Sequence, residues 1–142
     1  MPRTVWYPGH MAKGKRKLEE LVQKLDLILE VRDARAPHLT SSPMSDQLSR
    51  ICPVYIVLSR ADLAEEGATK AWLQFFSSIK QKAWAFNFLE GRIQLLRRDL
   101  AKLRPAHREL RLAVVGIPNV GKSLFLNLQV GKKQAPVGGD PG

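Results

Sequence analysis

The sequence predicts an α/β fold with a mainly parallel sheet sandwiched between layers of helices. Three observations carry that expectation. Short apolar runs alternate with amphipathic helical stretches four times along the 142 residues, as in a parallel sheet built with crossover helices. Polar loops follow Val31, Leu58 and Val115, each at the carboxyl end of an expected strand, where such sheets bind ligands. A glycine-bearing segment, Gly116 to Ser123, joins the last expected strand to an expected helix.

Residues 1–12 read as an irregular, extended lead-in through Trp6, Tyr7, Pro8, Gly9 and His10. Lys13 to Leu25 reads as a helix, with Leu18, Leu21, Val22 and Leu25 at helical spacing. Lys13, Lys15, Arg16 and Lys17 crowd its start, the end where the helix dipole disfavours cations. A solvated face and an anion site both fit that cluster. Asp26 to Val31 is aliphatic and short, a buried strand. Ser42 to Arg50 holds a short helix with Pro43 in its first turn. Val54 to Leu58 is a second strand. Ala68 to Ile79 is a helix whose Trp72, Phe75, Phe76 and Ile79 share one face, and such a stripe reads as core. Ala83 to Phe88 is a third strand, Ile93 to Leu103 a basic amphipathic helix, and Leu110 to Val115 a fourth strand. Lys122 to Val130 is a helix closed by Gly131, and the remainder is loop.

Composition narrows the class. Lys and Arg number 23 against 13 Asp and Glu, a net charge of +10, which implies an anionic partner, nucleic acid first. The 44% hydrophobic content suffices for a core. A single cysteine, Cys52, excludes a disulfide scaffold and favours a reducing, cytoplasmic compartment. No apolar run approaches the roughly 18 residues that span a bilayer, and the N-terminus has no apolar signal region. No membrane partner is expected, and a monomer is.

Gly116-Ile117-Pro118-Asn119-Val120-Gly121-Lys122-Ser123 fits G-x-x-x-x-G-K-[ST] in the context that the motif requires. Gly116 and Gly121 let the backbone curl. The amides of Asn119, Val120, Gly121, Lys122, Ser123 and Leu124 then face a phosphate at the helix start. Lys122 adds a cation for the β- and γ-phosphates, and the Ser123 hydroxyl suits Mg²⁺.

Ser59-Arg60-Ala61-Asp62 follows a buried strand at the same sheet edge. A carboxylate there accepts from both N1–H and the 2-amino group of guanine. Adenine offers neither donor and would leave the carboxylate desolvated and unpaired. Asp62 is therefore the candidate base reader, and an ordinary surface-turn Asp is the competing reading.

These residues resemble the circularly permuted GTPases of the YlqF/RbgA type, which act in large-subunit ribosome assembly. Trp6-Tyr7-Pro8-Gly9-His10-Met11-Ala12-Lys13 resembles the family's W-F-P-G-H-M-A-K, and Asp33-Ala34-Arg35-Ala36-Pro37 its D-A-R-x-P. Val57 to Leu63 stands where the family has V-L-N-K-x-D-L, and Gly116 to Ser123 matches its G-x-P-N-x-G-K-S. The base-reading segment precedes the phosphate loop, the permuted order. The resemblance implies a P-loop GTPase fold and a GTP/GDP ligand with Mg²⁺ at Ser123. It also implies K⁺ at Asn119, a catalytic role for His10 in orienting water, and rRNA of the large ribosomal subunit as partner.

Three departures are visible. The family's Asn-Lys is Ser59-Arg60 here. The Arg60 stem can still lie along a base, whereas Ser59, shorter than Asn, is expected to lose the contact tying base loop to phosphate loop. Asn87-Phe88 replaces the segment that meets the guanine oxygen, so a backbone amide is expected to serve. The sequence stops at Gly142, before the segments where the resemblance implies the switch residues and a C-terminal helical RNA-binding domain. The expectation is thus one incomplete GTPase domain, with strand 110–115 left as an uncovered sheet edge. The leading function is a GTP-hydrolysing assembly factor. The alternatives are a nucleotide- and RNA-binding module without hydrolysis, and a P-loop ATPase.

Overall fold

A computed structural model describes residues 3–6, 15–87, 93–117 and 120. Its elements in order are β1 (Arg3–Trp6), α1 (Lys15–Val22), β2 (Leu27–Asp33), α2 (Pro43–Leu48), β3 (Val54–Ser59), α3 (Glu66–Ser78), β4 (Ala83–Ala85), α4 (Gln94–Leu103) and β5 (Arg111–Val115). The strands form one sheet in the order β1-β5-β2-β3-β4, and every pairing is parallel. All carboxyl ends therefore open on one edge, where residues 33–37, 59–62, 86–87 and 116–117 gather.

The sheet is covered on both faces. Leu27, Leu29 and Val31 of β2 point one way, with Leu112 and Val114 of β5, and meet Ile93, Leu96 and Leu100 of the α4 segment. Ile28 and Val115 point the other way, against Val22 of α1 and Leu48 of α2. Ile56 and Leu58 of β3 meet Phe76 of α3 on that same side. The period-two alternation of a strand buried on both faces explains why these runs are apolar throughout.

Two expectations are corrected. The lead-in is not irregular over Arg3–Trp6. It pairs with β5, from Arg3 opposite Arg111 to Trp6 opposite Val114, so β5 is an interior strand. The backbone groups along β5 would otherwise face no partner, and a short β-branched segment satisfies them. The second correction concerns the aromatic stripe. Phe76 is buried and Trp72 packs beside it, but Phe75 is 50% and Ile79 56% exposed. The arc from Trp72 to Ile79 is wider than the strip of sheet beneath α3, where β4 contributes only three residues.

Boundaries shift where local chemistry ends an element. The first helix closes by Val22 rather than Leu25, and the third strand stops at Ala85 rather than Phe88. At the end of α3, Lys80 adopts a left-handed φ of 59°. The amide of Gln81 then bonds back to the Phe76 carbonyl, and that of Lys80 to Ser77, closing the helix with its last carbonyls satisfied. The helix expected over 122–130 and the tail lie outside the described residues.

Candidate nucleotide site

The loop after β3 is held at several points. Ser59 is 1% exposed, and its hydroxyl lies 2.6 Å from the Val120 carbonyl oxygen and 3.1 Å from that of Arg32. One hydroxyl proton serves the nearer acceptor. The expectation that Ser59 loses the tie between base loop and phosphate loop is therefore wrong. A chain one atom shorter than Asn still reaches, because Val120, itself buried, sits directly over the end of β3.

Arg60 takes a left-handed backbone, φ 56° and ψ 40°, and starts a 3-10 turn over Ala61–Leu63. Its guanidinium lies 3.0 Å from the Asp33 carboxylate. The Ala61 amide donates to the Phe86 carbonyl at 3.2 Å, and the Phe86 amide donates to Leu58. The segment bearing Asn87 is thereby fixed beside the base loop. Asp62 projects from the turn into solvent, and Asn87 is half-buried.

Two acidic residues of β2 hold the loop that follows it: Asp33, read in the sequence only as part of a motif, and Glu30, which was not singled out. Asp33 accepts from the Arg35 amide at 2.9 Å and from the Arg35 guanidinium at 3.0 and 2.7 Å. Those bonds from Arg35, outweighing burial, hold its carboxyl below the usual carboxylate range, with Arg60 adding to the effect. Glu30 is fully buried, bonds the Arg32 guanidinium at 2.7–2.8 Å, and accepts from the Ser42 amide at 2.6 Å. Together with Thr40, which accepts from the Asp33 amide and donates to the Ala36 carbonyl, they shape the loop after β2. A lone charge inside the apolar run Leu27–Val31, and the Asp-x-Arg spacing after it, were the available signals. A buried charge is retained only with partners.

Of the sequence-expected residues, the structure brings together Ser59, Arg60, Asp62, Asn87 and Val120 at one edge. His10, Phe88, Asn119, Gly121, Lys122, Ser123 and Leu124 lie outside the described residues. Among the described residues, no group of three His, Cys, Asp or Glu converges as a metal site.

The chain is similar to known proteins over nearly its whole length. Ribosome biogenesis GTPase A of Thermotoga maritima is 37% identical over 137 residues, which is 96% of this chain and 50% of that protein. Mitochondrial ribosome-associated GTPase 1 of Mus musculus is 32% identical over 96% of this chain and 47% of its own length. The crystal structure of GNP-bound YlqF from T. maritima superposes with a TM-score of 0.69 at 34% identity, covering 85% of this chain and 49% of that one. The chain is a homologue of the YlqF-type ribosome biogenesis GTPases. Its α/β sheet is the P-loop GTPase fold of that family. The chain spans about half the length of the curated relatives it matches. No family model matches it.

Proposed function

We propose that this chain binds GTP and GDP at the carboxyl edge of its sheet and hydrolyses GTP in assembly of the large ribosomal subunit. The observation that carries this reading is the Ser59–Val120 hydrogen bond, which ties the loop after β3 to residue 120 and so supports reading the two segments as parts of one site. The YlqF relatives support the nucleotide, since solved members are GNP- and GDP-bound. The relatives' names support the ribosome.

In this reading Asp62 reads the guanine N1–H and 2-amino group, the Arg60 stem lies along the ring, and Asn87-Phe88 presents a backbone amide to the base oxygen. The amides of residues 119–124 and the Lys122 ammonium hold the phosphates. His10 orients the attacking water. The Ser123 hydroxyl is a hard oxygen donor of the kind Mg²⁺ takes, and Asn119 offers an amide oxygen to K⁺. Mg²⁺ bound there would neutralise charge on the β- and γ-phosphates. The proposed setting is cytoplasmic and monomeric, with rRNA as partner. Among the described residues no helix is long and apolar enough to cross a membrane.

Titration with GDP, GTP and ATP tests the nucleotide. Tighter binding of ATP than GTP overturns the guanine reading in favour of an ATPase. Turnover measured with and without large subunits tests the activity, and binding without any turnover reduces the chain to a nucleotide-binding module.

A further inference from the structure

Asp33 stands at the end of β2 with its carboxylate between two arginines from different segments. Arg35 binds it from its own loop, through the backbone amide and, bidentately, through Nε and Nη2 of the guanidinium. Arg60 binds it from the base loop, 27 positions away, at 3.0 Å. The carboxylate is 9% exposed, against 50% for Arg35 and 35% for Arg60. The buried anion is therefore the fixed partner, and the arginines are the groups it positions. Arg60 also has the left-handed backbone that a non-glycine residue adopts only when its surroundings impose it. The Ser59 hydroxyl holds the chain on one side of it and the Ala61 amide on the other. The Asp33 pair fixes its side chain.

We propose that Asp33 is a positioning residue for the base: it anchors the Arg60 guanidinium so that the stem lies as a platform and Asp62, two residues on, faces the guanine edge. The inference rests on the guanine-nucleotide reading above. A charge-assisted bond to a buried carboxylate is strong enough to hold a long side chain in one rotamer, which lowers the ordering cost at binding. The anchor also turns the guanidinium head away from the ring, so the apolar stem rather than the charge meets the base.

The test is a double-mutant cycle on the full chain. GDP and ADP affinities are titrated for wild type, Asp33→Asn, Arg60→Met and the double variant, with thermal unfolding recorded alongside. Asp33→Asn keeps the shape and an acceptor oxygen, and Arg60→Met keeps an apolar stem. Each single variant is expected to bind GDP about tenfold more weakly, and the double no more weakly than the worse single. The ratio of GDP to ADP affinity should fall with them, because a displaced Asp62 matters only to guanine. A general loss of stability would lower both affinities together and leave that ratio unchanged. Additive losses, an unchanged ratio, or wild-type GDP affinity in Asp33→Asn would overturn the inference and leave the guanine reading standing. Failure of the wild type to bind GDP would overturn both. If Asp33→Asn does not fold, Arg60→Met decides alone, and a wild-type ratio in that variant sinks the inference.

Discussion

The Ser59 hydroxyl donates to the Val120 carbonyl oxygen at 2.6 Å, across 61 positions of chain. Both residues are buried. The bond joins the end of β3 to the turn after β5, two strands that are not neighbours, since β2 lies between them. It is the point at which the two halves of the proposed nucleotide site become one.

Ser59→Ala removes that bond and leaves a buried carbonyl without its donor. The expected cost is about 1–3 kcal/mol. GDP affinity should fall about tenfold, because the phosphate turn loses its tie to the base loop. Calorimetric titration beside a thermal melt checks both, and wild-type values in each would remove Ser59 from the site.

Asp62→Asn should weaken guanine binding and favour xanthine. Xanthine carries a carbonyl at position 2, which suits an amide donor and repels a carboxylate. Competition between GTP and XTP is the measurement. A variant that keeps its preference for GTP would show that Asp62 does not read the base.

Acid should loosen the opposite edge of the sheet. Asp26 bonds the Arg108 guanidinium at 2.7 and 2.8 Å and the Arg111 amide at 2.8 Å. Those bonds, the Arg108 bond foremost, hold its carboxyl below the ordinary 3.8. A depressed carboxyl stabilises the fold above its unfolded value, and that stabilisation is lost as pH falls through the lower folded value. Melting temperature should therefore decline below about pH 4. Asp26→Asn should melt lower at neutral pH and show a shallower acid decline, followed by thermal scans across pH.

The α4 face offers a packing test. Leu96 is fully buried against the sheet, whereas Leu95 beside it is 48% exposed. Leu96→Ala should cost about 2–5 kcal/mol and Leu95→Ala less than about 0.5 kcal/mol. Equal losses in denaturant unfolding would mean that α4 does not sit on the sheet as described.

Binding to rRNA should depend more on the first cationic cluster than on α4. Arg97, Arg98 and Lys102 project from the exposed face of α4, away from its buried Ile93, Leu96 and Leu100. Lys13, Lys15, Arg16 and Lys17 precede β2 and follow the Trp6-Tyr7-Pro8-Gly9-His10 segment in sequence. Reversing those four to Glu should weaken binding more than reversing the three on α4, with a steep salt dependence in both. Filter binding over a salt series tests the order, and equal losses would return the first cluster to ordinary surface charge.

The strands and helices were legible because their cause is local. A run such as Leu27–Val31, aliphatic on both faces but for the paired Glu30, belongs in a covered parallel strand, and the G-x-x-x-x-G-K-[ST] pattern of Gly116 to Ser123 is written in its own residues. The motif order, Asp62 before Gly116, was also plain in the chain, and with it the family. Contacts between segments were not legible, because they depend on where distant backbone falls. The length of Ser59 argued against a tie that the position of Val120 permits. The lead-in at Arg3–Trp6 has too few residues to signal a strand, and pairing with β5 makes it one. Asp33 read as part of a motif, but its grip on Arg60 arises only when β2 and β3 lie side by side and place residues 33 and 59 opposite each other. The sequence alone determined that the core strands β2 to β5 form a parallel sheet between helices and where the loops at their carboxyl ends fall. The tertiary structure decided which loops hold one another, since hydrogen bonds reach about 3 Å and only folding brings Asp33 to Arg60 and Ser59 to Val120 within that distance.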